Sequence, residues 1–172
     1  METYSMVQAI QAIIGNPDTL RKLARSFRTA RVMFLSDDFS MIPITDSLYD
    51  EIHEYETSQF EPGFLFLSDR VAALCANASK DAPIAFVETE AFGGCGRQSA
   101  AAWQGGSYIF GPASYNNYEG TPEPSASSTL PIGQALAAIG LASDSPAAPV
   151  DLFNIAARRV ADEFPDDLLQ AP

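Results

Sequence analysis

Residues 83–111, PIAFVETEAFGGCGRQSAAAWQGGSYIFG, decide the fold of this chain. Their apolar and alternating patterns predict strands over residues 83–90, 96–104 and 107–110. The two-residue link Gly105-Gly106 suits a type I′ turn, so the last two strands are predicted to form a hairpin. Glycines between Phe92 and Arg97 predict a tight or bulged connection between the first two strands.

Hydrophobic periodicity and capping residues predict the elements on either side of these strands. Helices are expected over residues 4–14, from Asn16 or Asp18 to Phe27, from Thr45 or Asp46 to Glu56, from Ser68 to Asn77, over residues 130–141 and over residues 150–164. Shorter strands are expected over residues 31–35, 39–44 and 63–67, and the first two of these form a hairpin around Ser36-Asp37-Asp38.

Together these elements predict an α+β fold, in which residues 1–172 form a single domain. We expect an antiparallel sheet of about five or six strands with helices mainly on one side. Residues 111–129 are rich in Pro, Ser, Asn and Gly and are expected to form an exposed loop, either mobile or functional. Residues 165–172 are expected to form a short acidic tail, because Pro165 ends the last helix.

The composition is that of a globular protein with a conventional core, since 47% of the residues are hydrophobic. No apolar run is long enough for a transmembrane helix, and no secretory signal is visible. Without an export signal, the two cysteines, Cys75 and Cys95, are expected to be reduced thiols in a cytoplasmic protein.

Acidic charge is concentrated in one part of the chain, which has a formal net charge of −12. Between Val32 and Asp69 there are nine acids and no Lys or Arg: Asp37, Asp38, Asp46, Asp50, Glu51, Glu54, Glu56, Glu61 and Asp69. Half of the ten bases lie just before this block: Arg21, Lys22, Arg25, Arg28 and Arg31. Such a field repels nucleic acid and anionic membranes and favours a basic protein partner. The alternative is that the acidity only keeps the protein soluble.

The predicted helix 46–56 is the main candidate for contact with a partner. Asp46, Asp50 and Glu54 lie four residues apart on it, and like charges at this spacing destabilise a helix. The compensating cation comes either from the arginine-rich second helix of this chain or from another protein. Tyr115 and Tyr118, in the predicted loop, add aromatic side chains of the kind favoured at interfaces. These five residues are the predicted partner contacts.

Glu88, Glu90 and Arg97 form the alternative site. Alternation along the strand places both carboxylates on one face, and a hairpin at the glycine loop returns Arg97 close to Glu90. The pair of acids suits acid–base or metal chemistry, or else Arg97 simply neutralises Glu90 across the two strands. Third and fourth metal ligands are missing, so no metal and no cofactor is predicted. The loop also lacks the GxGxxG and GK[ST] patterns of nucleotide-binding loops.

Cys95, flanked by glycines, completes this alternative site as the better candidate for a reactive thiol. Cys75 falls on the apolar face of its helix and is expected to be a core residue. His53 is the only histidine, and a thiol–imidazole dyad would require it to meet one of these cysteines in the fold. Nothing in the spacing brings them together, so no catalytic residue is predicted.

Residues 87–103, VETEAFGGCGRQSAAAW, resemble a motif of small uncharacterised bacterial proteins, E-x-[DE]-Y-F-G-G-x-G-x-Q-x-A-x-x-W. Residues 41–45, MIPIT, also resemble the start of a helix in that group, so the resemblance covers residues 32–110. Ala91 stands where an aromatic residue is more usual, and Cys95 is not a feature of the group. Some of these proteins are similar to immunity proteins encoded beside polymorphic or contact-delivered toxins. The resemblance implies that role and no catalytic residue.

The sequence therefore predicts a non-enzymatic protein-binding module, a bacterial immunity protein that neutralises a cognate toxin through its acidic surface. A toxin that acts on nucleic acid presents a basic cleft, which an acidic surface complements. The alternative is a small-ligand-binding protein or an enzyme that uses the hairpin of Glu88, Glu90 and Arg97. A further alternative is a subunit whose apolar surface forms a homo-oligomer.

Overall fold

One antiparallel sheet organises the described part of the chain, which is residues 8–92, 95–116 and 130–141 of a computed structural model. In chain order the elements are β1 (Gln8–Gly15), α1 (Pro17–Ala24), β2 (Met33–Phe34), β3 (Ser40–Pro43), α2 (Asp46–His53), α3 (Asp69–Ala78), β4 (Ile84–Phe92), β5 (Cys95–Gln104), β6 (Ser107–Asn116) and α4 (Pro131–Ala138). The strand order is β2-β3-β1-β4-β5-β6, and every pairing is antiparallel. The α+β fold with an antiparallel sheet is thus confirmed.

Helices cover both faces of this sheet, and the hydrophobic side chains divide accordingly into two clusters. Ile13, Phe86 and Trp103 belong to the cluster that includes α1, α2 and α3. Val87 and Ala102 belong to the cluster on the opposite face, against which α4 packs. The central strands β1 and β4 are therefore buried on both sides. Of the four helices in the described residues, three lie on one face, as predicted.

The N-terminal helix predicted over residues 4–14 is wrong where the structure describes it, because residues 8–15 form β1. Ile10, Ile13 and Ile14 have the spacing of a helix face, yet they point to both sides of a strand. A strand buried on both faces is apolar at odd and even positions alike, so it lacks the alternation that identifies a half-buried strand.

Two other segments differ from the prediction. Residues 63–67 are not a strand but part of an irregular connection, held by an isolated bridge between Phe60 and Ser68. Strand β6 continues to Asn116, so residues 111–116 belong to the sheet instead of beginning a loop. Residues 117–129, the predicted last helix over 150–164 and the tail 165–172 lie outside the described residues.

Gly111 allows β6 to continue past an irregularity in its pairing with β5. The register shifts between Ala100 and Ala102, which is the signature of a bulge. Gly111 has a φ of +68°, and a Cβ there would lie 2.7 Å from the carbonyl oxygen of Ala100. Only glycine fits both conditions, so the strand bends at this point without ending.

The predicted hairpin turn between β5 and β6 is confirmed, since Gly105 and Gly106 have φ values of +61° and +87°. The turn also contacts the C-terminus of α3. The N–H of Gly105 donates to the carbonyl oxygen of Ser79 at 2.8 Å, and the N–H of Gly106 donates to Ser79 Oγ at 2.9 Å. The helix end is thereby fixed against the sheet. No helix among the described residues is both long and apolar enough to cross a membrane.

Candidate functional site

Helix α2 presents most of its acidic side chains to solvent. It begins at Thr45, whose Oγ1 accepts a hydrogen bond from the N–H of Leu48 at 3.2 Å. The apolar residues of the helix face the core, and this orientation leaves Asp50 and Glu54 exposed and Asp46 half-exposed. The predicted partner contacts on this helix therefore lie at or near the surface.

The C-terminus of α2 has an unusual backbone. Glu54 and Tyr55 both adopt left-handed conformations, with φ values of +52° and +59°. A helix commonly ends in this conformation at a glycine, because a Cβ makes it cost about 1–2 kcal/mol per residue. Here two consecutive residues with side chains adopt it, and the Tyr55 side chain is 88% exposed. The chain thus holds an aromatic ring in solvent at the cost of backbone strain.

Arg70, from the first turn of α3, supports this strained turn. Its guanidinium donates to the carbonyl oxygens of Ile52 and His53 at the end of the helix, at 3.4 and 3.3 Å. The His53 oxygen also accepts from the N–H of Glu56. It also forms ion pairs with Glu56 and, at 3.9 Å, with Glu54. The compensating cation for Glu54 is thus Arg70 and not a residue of the arginine-rich helix α1.

We call Asp50, Glu54, Tyr55 and Glu56 the acidic corner. Three of its residues carry carboxylates, the fourth is an exposed tyrosine, and Arg70 forms ion pairs with Glu54 and Glu56. Three carboxylates and one guanidinium leave the corner with a net negative charge. A surface of this kind suits a partner with a basic rim and an apolar recess.

His53 links α2 to α3 and is buried, with 2% of its surface exposed. Its Nδ1 lies 2.7 Å from the carbonyl oxygen of Tyr49, which can only accept, so Nδ1 carries a proton. Its Nε2 lies within hydrogen-bond distance of Ser68 Oγ, at 2.7 Å. The same Ser68 oxygen accepts from the N–H of Val71 and caps α3. This serine–imidazole pair is buried and committed to the helix cap, so its role is structural.

Of the two cysteines, the structure describes the side chain of Cys75, and the described hydrogen bonds of the His53 ring are to Tyr49 and Ser68 and not to this thiol. Cys75 is fully buried, and burial raises the pKa of its thiol, which makes it unreactive as a nucleophile. Cys95 begins β5, and its side chain lies outside the described part of the chain. Because both ring nitrogens of His53 bind other groups, the imidazole does not activate Cys75.

Glu88 is the most buried carboxylate of the described residues, with 3% of its surface exposed. Its two oxygens accept from the N–H groups of Leu65 and Phe66, at 2.6 and 2.9 Å. Arg97, on the neighbouring strand, donates to the same carboxylate at 2.9 Å. Burial raises the pKa of the Glu88 carboxyl, and these donors oppose the rise. Glu88 thereby holds the irregular connection between α2 and α3 against the sheet.

This arrangement changes the interpretation of the alternative site. The register places Glu90 opposite Arg97, as predicted, but the ion pair of Arg97 runs diagonally to Glu88. Next to it, Ser99 donates to the carbonyl oxygen of Gly63 at 2.8 Å, which adds a second link to the same connection. The oxygens of Glu88 are occupied by donors within the protein, so the carboxylate is arranged to hold the fold and not to accept a substrate proton.

Tyr115 and the acidic corner do not form one surface. Tyr115 is half-buried on β6, opposite Gln98 of β5. Gln98 accepts from the N–H of Ile132 in α4, so Tyr115 points toward the α4 face of the sheet, whereas α2 packs on the other face. Tyr118 lies outside the described residues. Of the predicted partner contacts, the structure therefore groups only those of α2.

Tyr55 and Arg70 are functional candidates that the sequence did not reveal. Helical periodicity over residues 46–56 predicts that Tyr55 is buried with Leu48 and Ile52. This is wrong, because the helix ends at His53, and Tyr55 is 88% exposed with a left-handed backbone. Arg70 ends the acidic block and is separated from Glu54 by a long connection. Only the packing of α3 against α2 brings the two together.

Glu51, on α2, connects that helix to the segment after α1, and this predicts a pH-dependent stability. Its carboxylate accepts from the Thr29 hydroxyl and from the N–H groups of Arg28 and Thr29, and these bonds lower its pKa from the ordinary value of 4.5. A folded-state pKa below the unfolded one contributes stability above pH 4.5, and this is lost as the pH falls through the folded-state pKa. We therefore expect Glu51→Gln to destabilise the protein at neutral pH and to converge with the wild type in acid.

Urea denaturation of both proteins at a series of pH values measures this difference. Asp50→Asn is the matched control, since it removes one charge from the adjacent, exposed position of the same helix. A difference between Glu51→Gln and wild type that stayed constant through the acidic range would contradict the assignment.

Metal binding has no candidate site in the described residues, where no three His, Cys, Asp or Glu side chains are grouped closely enough to hold an ion. The acidic corner remains the surface feature with the most unusual geometry. Comparison with known proteins adds no further assignment. The chain matches no protein-family model, no curated protein and no solved structure.

Proposed function

We propose that this protein is a protein-binding module whose acidic corner docks onto a basic partner, and that the partner is a toxin which it neutralises. The main support is Tyr55, an 88%-exposed aromatic residue held in a left-handed conformation between two glutamates. Its ring contributes little to the core, so the strain brings no evident benefit to the isolated chain. Strain of this kind clusters at ligand-binding and switch regions.

Tyrosine is suited to the role of an anchor at an interface. Its ring provides a large contact area, loses little conformational entropy on binding, and brings a hydroxyl that hydrogen-bonds the partner. At the acidic corner, Arg70 bonds to the carbonyl oxygens that precede Tyr55 and so limits its motion before binding. A preorganised anchor binds more tightly because less freedom is lost on association.

The surrounding charge supplies the second part of the proposal. Asp50, Glu54 and Glu56 give the corner a negative field that attracts a basic surface and accelerates encounter. A toxin that cleaves or binds nucleic acid presents such a basic surface at its active cleft. Blocking that cleft neutralises the toxin, and the resemblance of residues 87–103 to proteins related to toxin immunity points the same way.

The proposal is tested by capturing the partner from native cells with three tagged forms of the full chain. These are the wild type, Asp50→Lys/Glu54→Lys and Asp37→Lys/Asp38→Lys. The last is the matched control, because it changes net charge equally at exposed acids of the turn between β2 and β3. At a salt concentration of about 50 mM we expect the wild type and the control to retain one basic protein that Asp50→Lys/Glu54→Lys does not. Equal capture by all three forms would contradict the proposed surface.

Neutralisation is separated from mere binding by a growth assay. Expression of the captured partner alone is expected to stop growth, and co-expression of this protein is expected to restore it. Rescue by the Asp37→Lys/Asp38→Lys control and not by Asp50→Lys/Glu54→Lys would support the immunity role. A captured partner that does not stop growth would support protein binding but would contradict the immunity role.

The kinetics of the purified pair give a quantitative prediction. Charge reversal at Asp50 and Glu54 is expected to slow association by about tenfold or more at low salt, because it replaces attraction by repulsion. The loss is expected to shrink as salt is raised, since surface charges are screened beyond about 8–10 Å at physiological ionic strength. Stopped-flow or surface-based association rates at several salt concentrations measure this effect. An unchanged rate and an unchanged salt dependence would exclude these two residues from the interface.

A further inference from the structure

The only two lysines of this chain, Lys22 and Lys80, line the same cavity. The cavity has a volume of about 320 Å³ and lies between α1 and the C-terminus of α3. All the other residues in the count of ten Lys and Arg are arginines. A compact ammonium group differs from a guanidinium in binding anions as a point charge with three freely oriented donors. The pairing of both lysines at one cavity is therefore a chemical feature of the site.

Within the described residues, one of the two ammonium groups is paired with a carboxylate and the other is not. Lys22 Nζ lies 2.7 Å from the Asp81 carboxylate, which also lines the cavity. No carboxylate among the described residues forms an ion pair with Lys80. The cavity thus has a net positive charge in a chain whose formal charge is −12. An anion that enters the cavity meets one uncompensated cation and a second that it shares with Asp81.

The position of Lys80 is fixed by the contact between α3 and the β5–β6 turn. Ser79 Oγ donates to the carbonyl oxygen of Ala76 at 2.6 Å and accepts from the N–H of Gly106. A Cβ on Gly106 would lie 3.6 Å from the Cε atom of Lys80, so the aliphatic part of the lysine lies along the turn. The backbone at Lys80 is hydrogen-bonded within the fold, and its exposed side chain lines the cavity.

The remaining walls of the cavity fit an organic ligand better than a bare ion. Leu23 and Leu74 provide apolar surface, and Thr19, Ser26 and Asn77 provide hydroxyl and amide groups. Pockets for small molecules combine apolar walls with a few polar groups, and their volumes begin near 300 Å³. The cavity is therefore of a size for a small metabolite.

We propose that this cavity binds a small organic anion, with its phosphate or carboxylate group on Lys80 and Lys22 and a short apolar body against Leu23 and Leu74. The inference is independent of the acidic corner and of the proposed partner. A purely structural explanation exists for Lys80, because a lysine near the C-terminus of a helix interacts favourably with the helix dipole. That explanation predicts an effect on stability and no binding of a ligand.

Nuclear magnetic resonance titration of the full chain distinguishes the two explanations. Phenyl phosphate, benzoate and inorganic phosphate are added separately to ¹⁵N-labelled protein at constant ionic strength. We expect saturable shifts of the amide signals of α1 and α3 with phenyl phosphate or benzoate, and weaker binding of inorganic phosphate, which lacks the apolar body. The tighter of the two aromatic probes identifies the preferred anionic group.

Lys80→Gln is expected to weaken binding by about tenfold or more, because a charge-assisted hydrogen bond is lost. Arg25→Gln, which removes one positive charge from the exposed surface just after α1, is the matched control and is expected to leave the affinity unchanged. Ala78→Leu keeps both lysines and fills the cavity, so it is expected to abolish binding. Shifts that fail to saturate at about 10 mM probe, or equal affinities for Lys80→Gln and wild type, would overturn the proposal.

Discussion

Replacing Glu88 by alanine is expected to lower the free energy of unfolding by about 3–5 kcal/mol, because it leaves a buried charge and buried donors without partners. Arg97, with only 19% of its side chain exposed, would lose its carboxylate. The N–H groups of Leu65 and Phe66 would lose their acceptors within the fold. Urea denaturation at neutral pH, followed by circular dichroism, measures the loss.

Glu90→Ala is the matched control for this prediction. Glu90 lies two residues further along β4 on the same face, but it is half-buried and is not the partner of Arg97. We expect its replacement to cost less than about 1 kcal/mol, as is usual for surface substitutions. Glu88→Gln is expected to fall between the two, because an amide accepts only one of the two N–H bonds and its own NH₂ opposes the other donor. Similar costs for Glu88→Ala and Glu90→Ala would show that the buried network is not what stabilises the connection.

How much of the fold follows from the sequence depends on how local each signal is. The turn at Gly105-Gly106 is encoded in two residues, because few other pairs adopt two positive φ values, and it was predicted correctly. The caps of α2 and α3, Thr45 and Ser68, are local signals as well. The signal for strand β1 is not local, because whether these residues form a strand depends on the elements that cover its two faces. Its isoleucines satisfy a helical pattern equally well.

The extent of β6 illustrates the same limit. Gly111 and Pro112 favour a loop when only the sequence is considered. In the structure a bulge in the pairing with β5 accommodates Gly111, and the strand continues beyond it. Whether a glycine ends a strand or bends it depends on the neighbouring strand, which cannot be known from the residues of β6 alone.

The sequence predicts the negative charge of the acidic corner but not its geometry. Periodicity was enough to place Asp50 and Glu54 on the solvent side of α2. The buried link between His53 and Ser68, and the contacts of Arg70 at the helix end, arise from the packing of two helices separated by an irregular connection. That packing determines the left-handed turn and thus the exposure of Tyr55. The exposure of this aromatic side chain therefore depends on tertiary packing and does not follow from the local sequence.

Tyr55→Gly is expected to weaken binding to the proposed partner by about 30-fold or more, the effect of removing an aromatic anchor that contributes about 2 kcal/mol. The same change is expected to leave the stability of the isolated protein within about 1 kcal/mol of the wild type or to raise it. Glycine adopts the left-handed conformation without strain, and the exposed ring contributes little to the core. The gain is reduced by the greater freedom of glycine in the unfolded chain.

The two measurements together separate a functional from a structural explanation of the strained turn. If Tyr55 served the fold, Tyr55→Gly would lower the melting temperature and affect binding only through stability. If the turn is maintained for binding, affinity falls while stability does not, which is the trade-off typical of functional sites. Tyr108→Ala is the control, since it removes a partly exposed aromatic residue of a different element, β6, and is expected to leave the affinity unchanged. Calorimetric binding and thermal unfolding of the wild type, Tyr55→Gly and Tyr108→Ala decide between the explanations. A structural role predicts that Tyr55→Gly loses stability, whereas a binding role predicts that it loses affinity at unchanged or higher stability.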